Sequence, residues 1–164
     1  MTQKIENVPA AAPAVAAAPV LNLQRCYLKA TSLEMPHAPK IFLVQGQLNM
    51  DLNVTIEKHE LDTGIFEVVV RGTLTAKVGT QVAYLVEAEQ AGIFQVANMT
   101  ADQLDEVLNV TTPTLIYPYL RAAIADTIAR TGMPVFHIPE VNWHAMYHDS
   151  RKALVAMPVE SVVQ

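Results

Sequence analysis

From Leu48 to His59 the chain alternates without a slip. Leu48, Met50, Leu52, Val54 and Ile56 fall on one side, and Asn49, Asp51, Asn53, Thr55, Glu57 and His59 on the other. A repeat of two is the repeat of a β-strand, and a helix would scatter the same residues around its circumference. One apolar and one polar face belong to an antiparallel sheet covered on a single side. Asp62-Thr63-Gly64 is a turn-forming triplet. After it the pattern returns over 65–78, with Phe66, Val68, Val70, Leu74 and Ala76 inward and Glu67, Arg71, Thr73, Thr75 and Lys77 outward. Gly79-Thr80 leads into a fourth strand over 81–90, and residues 22–34 supply a first strand whose alternation is blurred. Links this short join antiparallel hairpins.

Helical spacing takes over afterwards. Thr100 with Gln103 matches a capping box ahead of Leu104, Val107 and Leu108. Thr112-Pro113 has the form of a cap and first-turn proline for a longer helix striped by Tyr117, Leu120, Ile124 and Ile128. Pro118 predicts a kink or a later start, and Gly132 and Pro134 stop the helix. A proline-bracketed loop then leads to a last helix beginning near Asn142. The fold class is α+β: a four-stranded antiparallel sheet followed by helices packed on one face. The expected organisation is an Ala/Pro-rich disordered tail at 1–20, a single domain over 21–155, and a flexible tail at 156–164. Prolines at 9, 13 and 19 break the helix that a signal peptide would need, so neither export nor stable membrane insertion is expected.

Eleven Lys and Arg against 16 Asp and Glu leave a net charge of −5, with the basic residues scattered. That argues against a nucleic-acid partner. A lone cysteine, Cys26, excludes an internal disulfide framework and points to a reducing compartment, most simply the cytoplasm. No phosphate-binding glycine loop or nucleophile elbow is present. The one metal-like spacing is Glu140, His144 and His148, and helix histidines of this kind are far more often simple surface residues. No catalytic residue, cofactor or metal is expected.

Two segments stand out. The fourth strand turns Ala83, Leu85, Glu87 and Glu89 one way and Val82, Tyr84, Val86 and Ala88 the other. The first set mixes a leucine with two carboxylates, which suits an acidic interaction surface as well as an ordinary wet strand face. Between Pro39 and Gly46, Ile41-Phe42-Leu43-Val44 is a continuous apolar run, the pattern of a buried strand or of a binding surface.

Six motifs taken together resemble the SecB protein-export chaperone family. They are Gln24-Arg25-x-Tyr27-x-Lys29 running on through Ser32, Glu34, Pro36 and Ala38-Pro39; Phe66 to Arg71 with Thr73, Thr75 and Ala76; and Gln90-Ala91-Gly92-Ile93-Phe94. Pro118-Tyr119-x-Arg121, Gly132-x-Pro134 and Pro139-x-Val141-Asn142-Trp143 complete the set, in register over about 22–148. The resemblance implies an ATP-independent, SecB-like cytoplasmic chaperone, a homotetramer built as a dimer of dimers. It would hold newly made, unfolded precursor proteins and deliver them to the SecA translocase ATPase. It assigns SecA docking to Glu34, Leu85 and Glu87, and tetramer contacts to Tyr84, Val86, Ala88 and Gln90. The acidic residue usual after the lysine of the first motif is here Ala30, with Glu89 as its possible stand-in. The client groove would be lined by Ile41, Phe42, Leu43 and Val44, with Phe94, Trp143, Met146 and Tyr147 as further walls, although core packing is the commoner role of such residues. The alternative is a partner-specific adaptor or antitoxin-linked chaperone on the same fold.

Overall fold

The computed structural model describes residues 17–156. Most of the expected N-terminal tail, and residues 157–164 of the C-terminal one, lie outside that range. Four strands form one antiparallel sheet: β1 (Val20–Glu34), β2 (Leu48–Asp62), β3 (Ile65–Val78) and β4 (Gln81–Ala97), in the spatial order β1-β4-β3-β2. β2, β3 and β4 are a simple meander, because Gly64 and Gly79 take positive φ in the two tight links. β1 pairs with β4, so β1 and β2 occupy opposite edges, about 14 Å apart. The 35–47 connection must therefore cross the end of the sheet. A short 3-10 turn, Lys40–Leu43, lies within it, and His37 Nδ1 sits 3.0 Å from the Val82 carbonyl.

The blurred alternation of β1 has a local cause. Its register against β4 shifts between Leu23 and Arg25 and again between Leu28 and Ala30. Each bulge adds one unpaired residue and flips the inward–outward phase. β4 also runs on to Ala97 rather than ending near residue 90. Ala91 and Gly92 hide the alternation there, and a Cβ on Gly92 would stand 2.6 Å from the Phe94 ring.

The helices cover one face. Thr100 and Gln103 form the expected capping box at the start of α1 (Ala101–Glu106). The chain then continues without a break through a π-helical segment, Val107–Thr111, into α2 (Thr112–Ala129). Thr112-Pro113 is thus no cap: Thr111 is already helical, and the Thr112 hydroxyl donates back to the Leu108 carbonyl at 3.1 Å. Wider π spacing is a way to seat a proline that cannot donate. Pro118 lies inside α2. α2 packs over β4, β3 and β1, burying Ile116, Tyr117, Leu120, Ile124 and Ile128 against Val68, Val70, Leu74, Tyr84, Val86 and Phe94. α3 (Trp143–Ala156) returns beside the π segment. No helix among the described residues is long and apolar enough to cross a membrane.

Candidate binding surfaces

The sheet has one face that no helix among the described residues covers, and β4 organises it. Glu34 stands opposite Leu85 in the β1–β4 ladder, with Thr75 opposite Leu85 on the other side. Glu87, two residues along, pairs with Ser32 and Thr73. Glu34 and Glu87 are exposed and Leu85 half-exposed, so the three form one patch with neighbours about 7 Å apart along the strand. The Thr73 hydroxyl lies 3.4 Å from Glu87. Glu89 differs, because the Arg71 guanidinium donates to it while also standing 3.9 Å from Glu57.

At the middle of this bare face sits a buried carboxylate. Glu67 is 8% exposed. Tyr27 donates its hydroxyl to it, and Lys29 Nζ lies 2.9 and 3.0 Å from its two oxygens. Both reach from β1 across β4 to β3. Ala91, opposite Tyr27 on one side and Val69 on the other, has no bulk to stop them. The Tyr27 and Lys29 hydrogen bonds hold Glu67 below its ordinary range. In return the bond to Glu67, with burial second, pushes the Tyr27 hydroxyl up to about 12.

The helix-covered face is incomplete over β2. Leu48, Met50, Leu52, Val54 and Ile56 point inward but are only half-buried. At one end a cavity of about 500 Å³ is lined by Ile41, Phe42 and Val44 of the crossing loop, Leu48 and Met50 of β2, and Met133, Val135 and Phe136 of the loop after α2. Phe42 is 51% exposed, Leu43 83% and Val135 45%. At the other end Ile56, Asn109, Met146, Tyr147 and Ser150 line about 160 Å³ beneath α3. Leu52 and Val54 lie between the two on the same strand, and Lys58 closes the far end by donating to Asn109 Oδ1 at 2.7 Å.

The α3 start is anchored to α2. The Tyr117 hydroxyl donates to the Pro139 carbonyl at 2.6 Å, and Arg121 Nε to the Ile138 carbonyl at 2.9 Å. Trp143 meets Tyr117 edge-on at 5.3 Å between ring centres. Arg121 also pairs with Glu140, and His144 and His148 are exposed. Among the described residues no three metal-ligating side chains cluster.

The family model for preprotein translocase subunit SecB matches residues 14–153. The chain belongs to the SecB family. The protein-export protein SecB of Ralstonia pickettii is 50% identical over 129 residues, 79% of this chain and 75% of the relative. That of Paraburkholderia phymatum is 45% identical over 138 residues, 84% of this chain and 88% of the relative. A solved Mycobacterium tuberculosis SecB-like chaperone, bound to a peptide from an antitoxin, has the same fold. Its TM-score is 0.63 at 20% identity, over 74% of this chain and 91% of that one.

Set against the expectations from the sequence, the geometry requires four corrections. Ile41–Val44 is no strand: it is the 3-10 turn with Ile41 buried and Phe42, Leu43 and Val44 facing out. Phe94 is wholly buried and Trp143 is 5% exposed, because both pack in the core, so neither offers a wall to a groove. Met146 and Tyr147 line the small far cavity, Tyr147 also lines a cavity of about 590 Å³ between α1 and α3, and neither reaches the cavity beside Phe42; Met146 is 41% exposed and Tyr147 is held by Asp105 at 2.9 Å. Tyr84, Val86, Ala88 and Gln90 are at most 4% exposed beneath the chain's own α2, so they present no surface to another subunit. Reasoning from the sequence missed the wall made by Met133, Val135 and Phe136. Their signal was three apolar residues inside a proline-bracketed loop.

Proposed function

We propose that this SecB-family chain is a protein-export chaperone that keeps newly made precursors unfolded in the cytoplasm and hands them to the SecA ATPase. It does so without hydrolysing ATP and without enzymatic activity of its own. The observation that carries the reading is the apolar groove along β2, where Phe42, Val44 and Val135 stay exposed in the lining of the 500 Å³ cavity and Leu43 stands exposed between Phe42 and Val44 in the chain. Soluble proteins rarely leave so many large apolar side chains together unless something covers them. An unfolded chain supplies apolar side chains in no fixed order, and a groove with Met50 and Met133 in its lining adapts to many of them.

The second surface, Glu34, Leu85 and Glu87, is on the opposite face of the sheet, so a client and SecA need not compete for it. The tetramer contact is assigned to the outward side of α2, where Leu115 is 44% and Tyr119 55% exposed, together with Leu28 of β1 at 47%. The inward residues Val86 and Ala88 serve that contact by seating α2.

The test is light-scattering mass after gel filtration, with a slow-folding precursor freshly diluted from denaturant. The expected result is co-elution with a particle of about four chains. A smaller particle that ignores the unfolded precursor overturns the proposal.

A further inference from the structure

We propose that residues 157–164 of this chain fold back into the cavity of about 590 Å³ between α1 and α3 and brace the two helices against each other. The inference stands apart from the client groove, which lies on β2. Tyr147 meets Asp105 at 2.9 Å and Arg151 stands 4.0 Å from Asp102, so α3 runs antiparallel to α1. The two walls of the cavity differ in sign. Asp102 and Glu106 line it from α1, and His148, Arg151 and Lys152 from α3, with Tyr147 between them. The cations are poorly matched. Among the described residues Arg151 has only Asp102, at 4.0 Å, Lys152 only Asp149, at 3.9 Å, and His148 no ion-pair partner. The Lys152 side chain is 80% exposed.

The chain beyond α3 has the chemistry and the reach to fill this space. Met157, Val159, Val162 and Val163 make half of its eight residues apolar, and Glu160 is its one charged side chain. Segments that stay in water are poor in β-branched residues, and three valines in eight run against that rule. α3 ends at Ala156, four residues past Lys152, a rise of about 6 Å. Pro158 cannot extend the helix, because it lacks the N–H and its ring clashes with the preceding turn. The chain therefore changes direction within two residues of the cavity mouth. Back from Lys152 to Tyr147 is five helical steps, about 8 Å. Residues 160–163, extended, span about 13 Å, which covers that distance with Glu160 beside Lys152 and the valines over Tyr147. Glu160 answers the cationic wall, and the valines leave water for the apolar stems between the walls. Tyr147 also lines the small cavity under α3, so bracing α3 from above fixes the roof of that cavity too.

The experiment is amide hydrogen exchange on the full chain, read at Asp105 and Glu106 of α1 and from Tyr147 to Arg151 of α3, with Ile116–Ile124 of α2 as the internal reference. Val162→Asp should speed exchange at both sites about tenfold and leave the reference within about twofold. Glu160→Lys and Lys152→Glu should each speed it about threefold, and the two together should restore the wild-type rate. A segment that stays in water touches neither helix, so unchanged exchange in Val162→Asp overturns the proposal and leaves the cavity to an outside partner. If Val162→Asp acts but the charge swap restores nothing, the placement of Glu160 beside Lys152 is overturned. If protection at α1 and α3 in the wild type falls on tenfold dilution, a neighbouring copy supplies the segment, and folding back within one chain is overturned.

Discussion

Tyr27 on one edge strand donates its hydroxyl to Glu67 two strands away, passing over Ala91. The pair, completed by Lys29, ties β1 to β3 through side chains where the backbone ladder gives the two strands no direct pairing and only β4 lies between them.

Tyr27→Phe removes that donor and leaves Glu67 with Lys29 alone, at a cost of about 1–2 kcal/mol. Thermal unfolding at fixed protein concentration should show a midpoint lower by a few degrees. Glu67 is held low in the fold, so its contribution is present above the ordinary carboxyl range and fades as pH falls through the lowered value. Tyr27 is raised to about 12, so its share is complete below the ordinary phenol range near 10 and fades as pH climbs towards 12. The difference between wild type and variant should therefore shrink at both extremes.

Val86→Asp should unfold the protomer before it does anything specific to assembly. Val86 is wholly buried, and an unpaired carboxylate beneath α2 costs about 4 kcal/mol or more. Tyr119→Asp, on the outward side of α2, should instead lower the particle mass by light scattering while circular dichroism stays native. A tetramer unaffected by Tyr119→Asp would move the contact elsewhere.

Glu87→Lys should weaken SecA binding at least tenfold at low salt, with the loss shrinking as salt rises, and leave particle mass unchanged. Glu89→Gln should change binding by less than threefold, because Arg71 already occupies that carboxylate. Calorimetric titration with SecA at two ionic strengths separates the two.

Phe42→Asp should weaken capture of an unfolded precursor roughly tenfold with little change in stability, its ring being half-exposed. Phe94→Ala should do the reverse, costing about 3–5 kcal/mol through a cavity in the core. If Phe94→Ala proves stable but fails to hold clients, the groove runs deeper than its geometry indicates.

How far the sequence carries depends on whether neighbours along the chain decide the outcome. The faces of β2 and β3 and the Thr100–Gln103 box follow from local spacing, and they stand as read. The end of β4 was hidden because Ala91 and Gly92 carry too little side chain to show a face. Thr112-Pro113 imitated a helix start because the same pair also suits a helix that loosens by one residue per turn to admit proline. On β4, Leu85 and Glu87 were separable from Tyr84 and Val86 by alternation alone, whereas Glu34, on a strand whose bulges break the alternation, came only from the family resemblance. The groove was not, since Phe42 and Val135 are distant in sequence and meet only because the crossing loop and the loop after α2 reach the same end of β2. Phe94 and Trp143 looked equally suited to a groove and to a core, and only burial decides between them.

The placement of β1 also sets an order of events. β2, β3 and β4 close on one another through turns of a few residues, whereas β1 must wait for β4, whose far end, Ala97, pairs with Val20. During synthesis β1, which precedes the other three strands of this sheet, thus has no partner until the whole meander has emerged. Closing that long loop is the slowest pairing step available to the sheet. Changes in β1 should therefore alter chiefly how fast the finished sheet opens, and changes in the β3–β4 turn how fast it forms. On the function proposed above, a chain that keeps others from folding too soon has, in its own β1, a segment that must itself be kept waiting.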